Sequence, residues 1–174
     1  MDKIIGLRKL TVTDVEWVAQ LWEERWGGAL IIAHGQRFTP EMVEGIIANV
    51  DGKPAGLVTY FFHQESCEVV SLDSLIEHQG IGRLLLAAAA EMARKRGCQR
   101  LFLVTTNDNL AALRFYQKQG LRLSALRAGA VDQARLLKPS IPLLGEGGIP
   151  IHDELELEFD LNQKMPGESD LDFE

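Results

Sequence analysis

The sequence predicts an α/β (α+β) fold on a mixed sheet, and two observations carry the prediction. Residues 46–50, 55–63 and 67–75 are largely apolar runs separated by the polar turns Asp51-Gly52-Lys53-Pro54 and Gln64-Glu65-Ser66. Runs of that length between short turns read as strands of an antiparallel meander. Gln79-Gly80-Ile81-Gly82 then opens an alanine-rich stretch that reaches Gly97 without proline, and residues 100–105 form a further strand. Ile81, Leu85, Ala88 and Met92 share one helical face, as an amphipathic helix on a sheet requires. Strand, crossover helix and strand imply a parallel pair with a right-handed connection.

The remaining elements follow from local signals. Residues 7–10 read as a short strand, and Thr11-Val12-Thr13-Asp14 offers caps for a helix that runs to Trp26 and stops at Gly27-Gly28. Pro40-Glu41-Met42 opens a helical turn. Asn107 or Asp108 caps a helix that ends at Gly120, and residues 121–126 form a strand. Residues 128–137 suit an extra helix, and 138–150, with its prolines and glycines, a long loop; connections of that length are usually functional or disordered. Residues 154–161 alternate Glu with Leu and Phe in a period of two, the mark of a half-buried strand. There is no internal repeat.

Length and composition restrict the function classes. A chain of 174 residues with 46% hydrophobic and 25% charged residues reads as one domain over 1–163 and an acidic, flexible tail over 164–174. No apolar run approaches the roughly 20 residues of a bilayer span, so no membrane partner is expected. Met1-Asp2-Lys3-Ile4-Ile5-Gly6 lacks the basic start and long apolar region of a secretory signal; a cytoplasmic protein is the expectation. Cys67 and Cys98 have no metal-ligand spacing, and His34, His63, His78 and His152 are scattered, so no metal is expected. A net charge of −7 argues against nucleic acid. The cluster Arg83, Arg94, Lys95, Arg96 and Arg100 suits one small polyanion or is a solvated helix face.

The glycine turn is where chemistry enters. Backbone N–H groups at a helix start lack intrahelical partners, and glycine lets an anion approach them, so phosphate or pyrophosphate is the natural guest. Gly82 is followed by Arg83-Leu84 rather than Lys-Ser/Thr, which excludes a P-loop, and Leu85 stands where a dinucleotide fingerprint needs its third glycine. Asn109 and Tyr116 lie seven residues apart, two turns along one face of the next helix. With Gly80-Ile81-Gly82 in the first helix and Asn109-x-x-Ala112-x-x-Phe115-Tyr116-x-Lys118-x-Gly120 in the second, the chain resembles the GNAT superfamily of acetyl-CoA-dependent N-acetyltransferases.

The resemblance implies a mixed, mostly antiparallel sheet of about seven strands flanked by helices, splayed between its fourth strand, 67–75, and its fifth, 100–105, with acetyl-CoA in the cleft. It places the pyrophosphate on the backbone amides of Gln79, Gly80, Ile81, Gly82, Arg83 and Leu84, and the pantetheine amides on the backbone of Ser71, Leu72 and Asp73. It gives Asn109 a hydrogen bond to the cofactor arm, with helix capping as the alternative, and makes Tyr116 the proton donor to the departing thiolate, with core packing as the alternative. A phenol of pKa near 10 can donate to a thiolate whose conjugate acid lies near 8.5 when the two are held together.

The implied reaction is attack of a primary amine of a small molecule or peptide on the thioester, with a backbone N–H near Leu72 polarising the carbonyl. An ammonium must first lose a proton. Candidate bases are Glu68 and Asp73, which odd spacing places on opposite faces of their strand, or else both are solvated strand residues. Where some family members carry a glutamate five residues before the asparagine, this chain has Val104, and Glu77 stands near the pyrophosphate where the family usually has a neutral or cationic residue. Trp22 and Trp26 floor an acceptor pocket or pack the core; His152-Asp153-Glu154 lines the acceptor cleft or forms a turn. A non-catalytic acetyl-CoA sensor is the alternative function, and both monomer and homodimer are compatible with the sequence.

Overall fold

The computed structural model describes residues 5–171. In chain order the elements are β1 (Ile5–Lys9), α1 (Val15–Trp26), β2 (Ile31–Ala33), β3 (Gln36–Phe38), β4 (Glu44–Val50), β5 (Lys53–Phe62), β6 (Ser66–Ser74), α2 (Ile81–Lys95), β7 (Arg100–Thr106), α3 (Leu110–Lys118), β8 (Arg122–Arg127), α4 (Ala130–Leu137) and β9 (Glu154–Asp160). Seven strands form one sheet in the order β1-β4-β5-β6-β7-β9-β8, and β2 with β3 makes a separate hairpin. The fold is the mixed, mostly antiparallel one that the sequence predicts. By contacts the chain divides into one unit of residues 1–12, 43–101 and 160–174 and a second of 13–42 and 102–159.

In the first unit β4, β5 and β6 form the expected meander and β1 pairs antiparallel on the outside of β4, with Lys9 opposite Ile46, Ile46 opposite Val58 and Val58 opposite Leu72. α2 packs on this sheet. Its predicted face is buried, and Leu86, Ala87, Ala89, Ala90 and Ala93 are buried too. Small residues allow that breadth. Leu85 and Leu86, each removed from water, contribute about 1.5–3 kcal/mol apiece.

The segment after β9 returns to α2. Arg94 donates from Nε to the Leu161 carbonyl, from one terminal nitrogen to the Gln163 carbonyl and from the other to Glu168, at 2.9, 2.8 and 2.7 Å. Met165 is buried and the Glu168 side chain is only 4% exposed. Acidic composition alone suggested looseness here, and Arg94 supplies the partner that composition does not show. Residues 172–174 of the expected tail, and Met1-Asp2-Lys3-Ile4 of the expected leaderless start, lie outside the described residues.

In the second unit α1 ends at Gly27, whose φ of 72° is the left-handed conformation that closes a helix. The long connection after α4 is held by named bonds. Lys138 Nζ donates to the carbonyls of Trp26 and Leu30 at 2.7 and 2.6 Å, and Arg135 donates to those of Ile141, Pro142 and Ile151. Asn107 donates to the Pro150 carbonyl and accepts from the N–H groups of His152 and Asp153. The loop is therefore a built structure.

Burial on β5 and β6 makes a pH dependence. Tyr60 and Cys67 are buried, and desolvation pushes both their proton affinities far up, with Glu44 adding to each. The unfolded chain releases these protons near the ordinary 9.0 for the thiol and 10.0 for the phenol, whereas the folded chain retains them. Their contribution is thus complete below pH 9.0 and declines as pH rises beyond it, by up to about 1.4 kcal/mol per pH unit per group. Urea midpoints between neutral and strongly alkaline pH should fall past that point, less steeply in Tyr60→Phe; a flat midpoint would contradict this.

Candidate active site

α2 opens at Gly80, which has φ 71° and ψ 10° and makes no side-chain cap. The first helical bond runs from the Leu84 N–H to the Gly80 carbonyl at 3.0 Å. The N–H groups of Ile81, Gly82 and Arg83 therefore precede the helical ladder and gather at the positive end of the helix. Nothing lies within 4 Å of where a Cβ of Gly80 would stand. Ile81 is buried and anchors the turn, while Gln79, Gly80 and Arg83 are exposed. Such a turn can cradle an anion. Glu77 does not close it: its side chain is 88% exposed, 3.7 Å from His78 Nε2, and its charge is screened by water.

β6 leads into this turn and carries a bulge. Thr59 faces Ser71, but Tyr60 faces Val69, so Val70 is the extra residue. An inserted residue reverses the alternation beyond it. Glu68 opposite Phe61, Ser71 opposite Thr59 and Asp73 opposite Leu57 consequently share one face. The expectation that Glu68 and Asp73 face opposite ways is corrected. The Ser71 and Thr59 hydroxyls bond at 2.7 Å on that face, and the Glu68 carboxylate, fully buried, meets His63 Nε2 at 2.8 Å. His63 keeps 31% of its side chain exposed. Asp73 is 7% exposed, and Leu72, on the other face, is half-buried.

In the second unit the cap of α3 is Asn109, not Asn107 or Asp108. Its Oδ1 accepts from the Ala112 N–H at 3.1 Å, so what Asn109 offers a ligand is its Nδ2 donors. Asn107 instead pins the loop, and the Asp108 carboxylate accepts from Glu146 N–H. Tyr116 is half-buried, with its ring edge-on to Phe115 at 5.2 Å. Val104 is half-buried. Trp22 is wholly buried and belongs to the core, whereas Trp26 is 40% exposed. Of the last trio His152 pairs with Asp132, Asp153 accepts from the Gly129 N–H, and Glu154 is 3% exposed.

A family model described as "Acetyltransferase (GNAT) family" matches residues 12–121. The chain belongs to this family. It is accordingly an acyltransferase, and its general reaction is acetyl transfer. The Bacillus subtilis (strain 168) protein YxbD, itself described as uncharacterized, is 43% identical over 141 residues, 80% of this chain and 89% of that one. Streptothricin acetyltransferase of Streptomyces lavendulae is 32% identical over 85 residues, covering 47% of this chain and 45% of its own. Among solved structures, a GNAT family acetyltransferase from Elizabethkingia anophelis with acetyl-CoA bound has a TM-score of 0.66 at 21% identity, covering 90% of this chain and 97% of that one.

Two features of this GNAT chain escaped the sequence reading. His63, the partner of Glu68, closes the predicted strand 55–63 and counts in the sequence only as one of four scattered histidines. The β2–β3 hairpin, closed by His34 and Gly35 at φ 40° and 80°, has strands of three residues; a glycine beside a residue that tolerates the left-handed region was its available signal.

Proposed function

We propose that this chain transfers the acetyl group of acetyl-CoA to a primary amine of a small molecule or peptide by direct attack in a ternary complex. The observation that carries the reading is the opening of α2: a left-handed glycine, N–H groups outside the helical ladder and no side-chain cap. That donor set fits a pyrophosphate in kind, and the open space at Gly80 admits it. Gln79, Gly80, Ile81, Gly82 and Arg83 hold the pyrophosphate through their backbone N–H groups, Arg83 adding a cation, while the Leu84 N–H of the expected set is taken by the Gly80 carbonyl. Ser71, Leu72 and Asp73 pair their backbone with the pantetheine amides, and the Leu72 N–H polarises the thioester carbonyl. The Nδ2 donors of Asn109 bind the cofactor arm. The bound acetyl-CoA of the Elizabethkingia protein supports the cosubstrate, and the streptothricin acetyltransferase supports a small-molecule acceptor.

As the N–C bond forms the C–S bond breaks. The ammonium loses two protons in all, one ending on the leaving sulfur through Tyr116 and the other in solvent. Glu68 is the base this chain equips best, because His63 gives its buried carboxylate a hydrogen-bonded route outward; Asp73 shares its face. The test is free-thiol release from acetyl-CoA with a panel of amines. Gly82→Glu should raise the acetyl-CoA Kd at least tenfold, since its carboxylate would stand among the pyrophosphate donors. The variant should remain folded, because glutamate suits the first turn of a helix and glycine there costs up to about 1 kcal/mol. Cofactor binding without thiol release for any amine, or unaltered affinity in Gly82→Glu, would overturn the proposal.

A further inference from the structure

The segment that follows β9 lies along α2 within the first unit and reaches the end of that helix where the cofactor site opens. We propose that residues 161–168 form a strap in which Gly167 and Glu168 position the Arg83 guanidinium for the pyrophosphate of acetyl-CoA. This rests on the acetyl-transfer reading and adds two positioning residues to its cofactor site.

Two anchors hold the strap. Arg94, about three turns along α2 from Arg83, donates to the Leu161 and Gln163 carbonyls and to Glu168. Residues 165–168 also close a turn on themselves: the Met165 N–H donates to Glu168 Oε2 at 2.9 Å, and the Glu168 N–H donates to the Met165 carbonyl at 3.2 Å. The Met165 and Glu168 side chains are both buried. Gly167 sits between these fixed residues, buried itself, with a φ of 93°. Few residues other than glycine adopt that left-handed backbone.

Gly167 is the point at which the strap meets Arg83. A Cβ there would stand 3.4 Å from Arg83 Cγ, 3.6 Å from Arg83 Nε and 3.7 Å from the Ala87 methyl. The Arg83 stem therefore lies against the strap, and Ala87, one turn farther on, is small enough to let the strap backbone approach. Arg83 is in the first turn of α2. Helical side chains tilt toward the N-terminus, so a stem held there carries its guanidinium toward the open end of the helix. An arginine packed in this way has already lost rotamer freedom that a loose one gives up on gripping a phosphate, and preorganisation of that kind appears as affinity. Glu168 acts at one remove, since its carboxylate is engaged by Arg94 and the Met165 N–H and reaches Arg83 only through Gly167.

Dissociation constants of acetyl-CoA and of S-acetylpantetheine, which lacks the pyrophosphate, test this in the native protein, Glu168→Ala, Arg83→Gln and the double variant. Glu168→Ala should raise the acetyl-CoA Kd by about fivefold or more and leave that of S-acetylpantetheine within about twofold, and Glu168→Gln, which keeps one acceptor, should fall between. Arg83→Gln should itself weaken acetyl-CoA, and in that background Glu168→Ala should add nothing, because the residue it positions is gone. Gly167→Asn tolerates the left-handed backbone and sets a side chain against the stem, so it should act as Glu168→Ala does even where the latter folds poorly. Equal losses for both ligands, or effects that add across the double variant, overturn the strap. A native protein that binds no acetyl-CoA overturns the acetyl-transfer reading itself, whereas acetyl-CoA binding indifferent to Glu168→Ala and Gly167→Asn overturns the strap alone.

Discussion

Tyr116→Phe is expected to lower kcat by about 10²–10³ while leaving the acetyl-CoA Kd within about threefold. The substitution removes one oxygen and keeps the ring that meets Phe115 edge-on, so packing on α3 survives. What it removes, on the proposed reading, is the proton donor for the leaving sulfur, and a positioned acid contributes about 10²–10⁴ in rate. The loss corresponds to about 3–4 kcal/mol of transition-state stabilisation. A packing role would give another pattern: a lowered Tm with kcat within a few-fold, which would remove Tyr116 from the reaction.

The parts of the fold that sequence made legible are those fixed by neighbours along the chain. Gly80 and Gly82 mark the start of α2, Gly27 and Gly120 mark helix ends, and the alternation of 154–161 appears as β9. Each is a local preference that the tertiary structure keeps. The misses are non-local. Whether Glu68 and Asp73 share a face depends on Val70, and Val70 is a bulge only because β5 opposes it with one residue fewer. Asn107 and Asp108 are good caps by type, but distant loop segments engage both, leaving Asn109 to cap α3. A cavity of the second unit is the extreme case, since α1, β2, β7, α4, the connection and β9 each contribute a wall.

Gly56→Ala should destabilise the protein by about 2–3 kcal/mol and lower its Tm by about 5–10 °C, a large effect for one methyl group. Gly56 lies in β5 beneath the first turns of α2. A Cβ there would stand 2.6 Å from Ile81 Cγ2, 2.9 Å from Leu85 Cδ1 and 2.9 Å from the Asp73 carbonyl. Ile81 and Leu85 are both buried, and the carbonyl is backbone, so none can swing into solvent. Relief requires α2 to lift from the sheet at the end that opens on Gly80. Stability and acetyl-CoA affinity should therefore fall together, whereas Tyr116→Phe spares both. Ile81→Ala removes the nearest clashing methyl, so Gly56→Ala should cost less in that background, a coupling that thermal or urea unfolding of the four-protein cycle measures. Additive losses would show that α2 tolerates the methyl in another way, and that the height of its N-terminus is not set by the glycine beneath it.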